Sequence, residues 1–139
     1  MAFATAFQAA AGNIPEQLSS GAYDSAMALM LASLIAAQPL ANPDELTPTQ
    51  IRDAMPQIHA ADGTRVIPTV DSLAAGVALI AQGKPIKYDG ASNALNFDAV
   101  GNLFPPLVHW KVQGQQFMEL EAYDCSNEKP LCPPMVTAN

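Results

Sequence analysis

The stretch from Gly21 to Gln38, GAYDSAMALMLASLIAAQ, restricts the fold more than any other part of this sequence. Ala, Leu and Met recur at every angle of its helical wheel, and polar residues gather only near its start. A helix of that kind has no solvent face, so it belongs inside a core or against a partner surface. Ser19 or Ser20 can cap it, and Asp24 is expected in its first turn, where the helix dipole favours a carboxylate. Its most apolar run, Ala26 to Ala37, is shorter than the about 20 residues that a bilayer requires. The N-terminal stretch MAFATAFQAAAGNIPEQL has neither a positive n-region nor a small-residue cleavage site, so it does not read as a signal peptide. A soluble chain is expected.

A helix that needs burial is compatible with the rest of the chain. Half of the 139 residues are hydrophobic, enough for a real core within one domain. Six basic residues against thirteen acidic ones give a net charge of -7, and no segment interleaves Lys or Arg with aromatics. A nucleic-acid partner is therefore not expected.

Two further helices follow. In TPTQIRDAMPQIHA, Thr47 as N-cap, Pro48 at the first helical position and Gln50 three residues past the cap spell a capping box. Pro56 is expected to kink or end that helix after about two turns. DGTRVIPTV reads as an extended connector, and DSLAAGVALIAQG as a third helix with an apolar stripe of Leu73, Val77 and Ile80 and a C-cap at Gly83. From Lys84 the pattern changes to the short segments IKY, ALNFD, LVHWKV and QFMELEAY, separated by DGASN, AVGN and QGQ. The expected class is α+β, three helices followed by a small β-meander.

Chemistry-bearing motifs are few. There is no GxSxG elbow, no HExxH and no phosphate-binding glycine loop, so no catalytic residue is assigned and no enzyme is expected. No cofactor or metal is expected either: His59 and His109 have no companions that complete a site, and Trp110 is expected in the core. A calcium loop is excluded around DAVGN, which lacks alternating oxygen ligands and a closing Glu. Cys125 and Cys132 bracket the polar segment SNEKPL, where a local disulfide in an oxidising compartment is preferred to two free thiols. The two do not have the spacing of a redox CxxC or of a paired zinc site.

Three stretches, GAYDSAMALMLA, GKPIKYDGASNALNFDAVGN and VHWKVQGQQF, together resemble the C-terminal part of the type I periplasmic solute-binding proteins of ABC transporters, the branched-chain amino acid group. The resemblance runs from about Phe3 to about Phe117. Ser25 stands where the family pattern has Ala, Asn93 where it has Gly, and Asn102 where it has Asp. Family members are roughly two and a half times as long, with two α/β lobes closing on a ligand, so the chain resembles only their last third.

That resemblance implies a C-terminal segment over residues 1–122 of a two-lobed α/β fold, followed by a tail over 123–139. It further implies an amino acid or similar small polar ligand, an ABC permease as partner, and a periplasmic or extracellular location, with a lipoprotein anchor as one arrangement of the full-length parent. Tyr23 and Asp24 would begin a helix near the interlobe cleft, Asp24 receiving a ligand ammonium and Tyr23 lining the pocket. The alternative is that Asp24 merely favours the helix dipole and Tyr23 packs. Tyr88, Asp89, Gly90, Ser92, Asn96, Phe97, Asp98, Gly101 and Asn102 would form a structural ribbon, with packed aromatics and a turn shaped by Asp98 and Gly101. A stand-alone interaction module derived from that fold is the competing expectation, with a homodimer as one way to bury the first apolar helix.

Overall fold

The computed structural model describes residues 2–15, 19–92, 95, 97, 101, 103 and 107–123. These fall into two units, Met1–Gly101 and Asn102–Asn139. The described residues are α+β, with four α-helices and two small sheets among them, but the internal arrangement differs from three helices and a meander.

In the first unit, helix α1 (Ala2–Ala11) precedes the long helix α2 (Ser19–Ala37). The sequence reading missed α1, an Ala-rich segment with no cap or charge to mark it. Its Phe3 ring lies 5.0 Å from the ring of Tyr23. Helix α2 buries Ala28, Leu31, Ala32 and Ala36 on one side. Its other side exposes Leu29 (54%) and Met30 (56%), so full burial is not what the structure shows. The inner side packs against α3 (Pro48–Ala54), the following 3-10 helix (Met55–Ile58) and α4 (Val70–Ala81). At 19 residues α2 also exceeds the run from Ala26 to Ala37, and by length and composition it could cross a membrane, as many core helices could.

Helix α3 begins as its sequence dictates. Gln50 donates its N–H to Thr47 Oγ1 at 3.4 Å, and Thr47 returns its N–H to Gln50 Oε1 at 2.8 Å. The α-helical geometry stops at Ala54, two residues before Pro56, and tightens into the 3-10 turn. Helix α4 is capped by Thr69, whose Oγ1 accepts the Ser72 N–H, and Gly83 behind it takes φ +68°. Its inner face is Gly76 and Ile80, whereas Val77 is 42% exposed. Gly76 replaces Val77 because the helix approaches strand β1 closely: a Cβ there would stand 3.0 Å from Val66 Cγ2.

The segment read as a connector contains strand β1 (Thr64–Val66), which pairs in parallel with β2 (Ile86–Tyr88). Thr64, Arg65 and Val66 stand opposite Ile86, Lys87 and Tyr88, and α4 is the crossover between the strands. His59 forms an antiparallel bridge with Lys87 on the other side of β2. Thus IKY belongs to a βαβ unit rather than to a meander, and Leu95 and Phe97 of ALNFD lie outside any strand. A three-residue strand is too short to display alternation, which is why β1 escaped the sequence reading.

Val66 contacts α4 through Gly76, and Tyr88 reaches α2 through Asp24, so both helices cover the same face of the sheet. Ile58, Val66, Ile86 and Tyr88, each at most 1% exposed, form the floor of the core beneath Leu31 and Ala32.

The second unit is a hairpin of β3 (Leu107–Gln113) and β4 (Gln116–Tyr123), with a register shift between His109 and Trp110. Gly114 and Gln115 both have positive φ, 60° and 63°, as a type I′ turn requires. Trp110 is not a core residue: it is 50% exposed and packs edge-on against Phe117 with centroids 4.8 Å apart. A two-stranded ribbon has no second layer of its own in which to bury an indole.

Gly63 sits where the turn after His59 crosses β2, and a Cβ there would overlap the carbonyl carbon and oxygen of Ile86. Gly63→Ala should lower stability by about 2–3 kcal/mol, because backbone rather than a flexible side chain must yield. Gly21→Ala, a helical site with nothing within 4 Å, should raise it by about 0.5–1 kcal/mol. Urea denaturation of both variants measures the contrast, and equal midpoints would refute the packing described around Gly63.

Candidate functional site

The most concentrated polar chemistry lies at the inner side of α2. Because α2 begins at Ser19, Asp24 falls in its second turn, beyond the first turn where the dipole acts strongly. It is 1% exposed and is the buried charged residue among those described. Its Oδ1 accepts the phenolic O–H of Tyr88 at 2.9 Å and the Ala91 N–H at 2.7 Å. Its Oδ2 accepts the Ser92 N–H at 2.7 Å and the Ser92 hydroxyl at 2.5 Å. Two donors on each oxygen use the roughly four lone-pair sites of a carboxylate.

The segment after β2 is built to supply those donors. Tyr88 ends β2 on its helix-covered face, and the chain then turns through Gly90 so that two successive backbone N–H groups converge on the carboxylate. Gly90 is required by contact: a Cβ there would lie 2.5 Å from Cγ and both oxygens of Asp24. Asp89 points elsewhere and accepts from Arg65 Nε at 2.5 Å. DGAS is thus a small anion cradle filled by a side chain of the same chain.

Two tyrosines feel this carboxylate. Burial, and then the Asp24 charge and its hydrogen bond, push the Tyr88 phenol far above the ordinary tyrosine range. Burial, followed by Asp24, also raises Tyr23, whose ring is half-buried against Phe3.

Tyr23 and Asp24 are therefore adjacent in sequence but differently engaged, one packed on Phe3 of α1 and the other closed by Tyr88, Ala91 and Ser92. Tyr88, Asp89 and Gly90 lie together at the cradle; Phe97 is half-buried beside the core, and Gly101 is exposed with φ +86°. Asn93, Asn96, Asp98, Asn102, Cys125 and Cys132 lie outside the described residues. His59 is half-buried, with Nδ1 3.3 Å from the Tyr88 carbonyl oxygen, and His109 is exposed. Among the described residues no group of His, Cys, Asp and Glu could hold a metal. A separate open cleft of about 420 Å³ is lined by Ile35, Gln38, Pro56, Gln57, Lys84 and neighbouring residues, and neither Tyr23 nor Asp24 borders it.

Sequence reasoning placed Asp24 and Ser92 among notable residues but did not join them, and it passed over Ala91. A signal was present: a lone acidic residue in an apolar helix needs donors, and Gly-Ala-Ser offers two N–H groups and a hydroxyl in succession.

Asp24→Ala should destabilise the chain by about 3 kcal/mol or more, and Tyr88→Phe by about 1–2 kcal/mol. Because folding raises the Tyr88 pKa, its contribution is complete below the unfolded value of about 10 and is lost as pH rises beyond it. Unfolding free energy should thus fall above about pH 10, and less steeply in Tyr88→Phe. Identical alkaline profiles would sink the assigned geometry.

No known protein family, no curated protein and no solved structure matches this chain.

Proposed function

We propose that the chain is the C-terminal part of the substrate-binding component of an ABC importer of amino acids or related small polar solutes, a piece of a two-lobed α/β fold that works with a membrane permease outside the cytoplasm. One observation carries this reading. The stretches GAYDSAMALMLA and GKPIKYDGAS, which bear the resemblance to that group, are the two that meet at the Asp24 cradle. The residue types that define the pattern are accordingly ones the fold uses: Tyr88 and Ser92 as donors, Gly90 as the point of close approach. The βαβ unit adds support, because a two-stranded parallel sheet ordinarily belongs to a larger α/β layer.

In such an importer the ligand shifts a hinge equilibrium towards a closed form that the permease reads. A chain contributing one wall of the cleft should bind poorly alone. Calorimetry with amino acids and small carboxylates should give no saturable micromolar binding to these 139 residues, and binding should appear when the missing lobes are supplied from the adjoining coding sequence. Tight binding to the isolated chain, or none to the completed protein, would defeat the proposal.

The exposed side of α2 favours a second reading, a stand-alone module that associates through Leu29, Met30 and Leu34. Light scattering over a concentration series distinguishes it. A concentration-dependent dimer abolished by Leu29→Gln/Met30→Gln is the expected result, and a monomer at every concentration would remove this alternative.

A further inference from the structure

We propose that the cleft beyond the C-terminal ends of α2 and α4 binds a small aromatic monocarboxylate. This inference is independent of the transport reading, and the residues that line the cleft all belong to the first unit. At about 420 Å³ the cleft has the size of a small-ligand site. Pro56 and Pro85 are exposed in it and Ile35 is half-buried, so rigid rings and hydrocarbon make up much of its wall. Ile86, 1% exposed, ties that wall to the core.

Charge sets the class of ligand. The chain has a net charge of -7, yet among the described residues no Asp or Glu lines the cleft, and Lys84 does. Lys84 is exposed and makes no side-chain hydrogen bond or ion pair among them. Two helices that end at one place ordinarily favour a cation there. Here their last carbonyls are already met. Ile80 O accepts from Gln38 Nε2 and from the Gly83 N–H, both at 2.9 Å, while Leu79 O accepts the Lys84 N–H and Ala37 O the Leu40 N–H, both at 3.0 Å. The Lys84 ammonium is thus left without a counter-charge inside the cleft.

The same contacts prepare a second donor. Gln38 Nε2 carries two N–H groups, one of which Ile80 O holds, so the amide is fixed at the cleft with its other N–H available to an anion. Gly83 lets the amide lie that close, since a Cβ there would stand 3.2 Å from Gln38 Nε2. A carboxylate suits an ammonium and an amide N–H. A bare inorganic anion would leave the proline and isoleucine walls in water, and a flexible chain would lose rotamer freedom on binding. A rigid aromatic body covers those walls at the least entropic cost.

The test is a titration of the folded chain with cinnamate, followed by backbone amide shifts, beside neutral cinnamamide and acetate. Cinnamate should saturate with a dissociation constant of about 1 mM, with shifts centred on Ile35, Gln38, Gln57, Lys84 and Ile86. Cinnamamide should bind about fivefold more weakly, as should cinnamate to Lys84→Gln, a change at an exposed position. Acetate should cause no saturable shift. Ala60→Leu, which fills the cleft, should weaken cinnamate about tenfold, with circular dichroism confirming the fold. Equal affinity for cinnamamide, undiminished binding by Lys84→Gln, no saturation by about 10 mM, or shifts confined to the exposed side of α2 would each overturn the proposal. Millimolar binding leaves the absence of micromolar binding to the isolated chain untouched, so this proposal and the transport reading fail separately.

Discussion

Burying the Asp24 carboxylate is the constraint on which the first unit depends. Removing a carboxylate from water costs several kcal/mol unless its lone pairs are met. Here Tyr88, Ala91 and Ser92 meet all of them. The donors come from a segment more than sixty positions away in sequence, so this polar cluster fixes which part of the chain lies on α2. Apolar packing alone would not, since Ala, Leu and Met side chains accept many partners at similar energy.

Meeting that requirement sets conditions on everything beneath it. Tyr88 reaches Asp24 because β2 is held in register beside β1, with the Asp89 N–H donated to the Val66 carbonyl at 2.8 Å. That pairing places Val66 under Gly76 and lets Ile80 enter the core, so the approach of α4 follows from the strands. Gly63, Gly76 and Gly90 mark three close approaches in this arrangement, and at each the missing Cβ is what permits contact. A consequence of using one sheet face for both helices is that the alternate residues Arg65 and Lys87 fall on the other.

Local signals in the sequence predicted local structure well. Thr47, Pro48 and Gln50 defined the start of α3, Pro56 its end, and Gly83 the end of α4, because capping and φ restrictions act within a few residues. What depended on distant partners was less visible. Strand β1 owes its state to pairing with residues 86–88: Thr64 and Val66 favour a strand, but a run of three residues is too short to declare one alone. Trp110 looked like core because its type usually is, yet the hairpin gives it Phe117 and no second layer. The cradle was half legible: Asp24, Tyr88 and Ser92 all stood out, but nothing in one sequence states that a carboxylate and a Gly-Ala-Ser turn will meet.

Under the proposed importer reading, the cradle also bears on how a solute would be recognised. For Asp24 to take a ligand ammonium, the carboxylate would have to release donors it already holds at 2.5–2.9 Å. Each charge-assisted bond contributes roughly 1.5–3 kcal/mol, and an ammonium would bring back bonds of the same kind after its own desolvation. The exchange gains little, and it would leave the Ala91 and Ser92 N–H groups without acceptors. In the proposed importer, ligand contact would therefore fall to groups whose hydrogen-bonding capacity is not already filled, with Asp24 holding the Ala91–Ser92 turn in place. Tyr23 is compatible with that division: its ring lies against Phe3, at the end of α2 where the cradle also sits, and it supplies none of the four hydrogen bonds that fill the carboxylate.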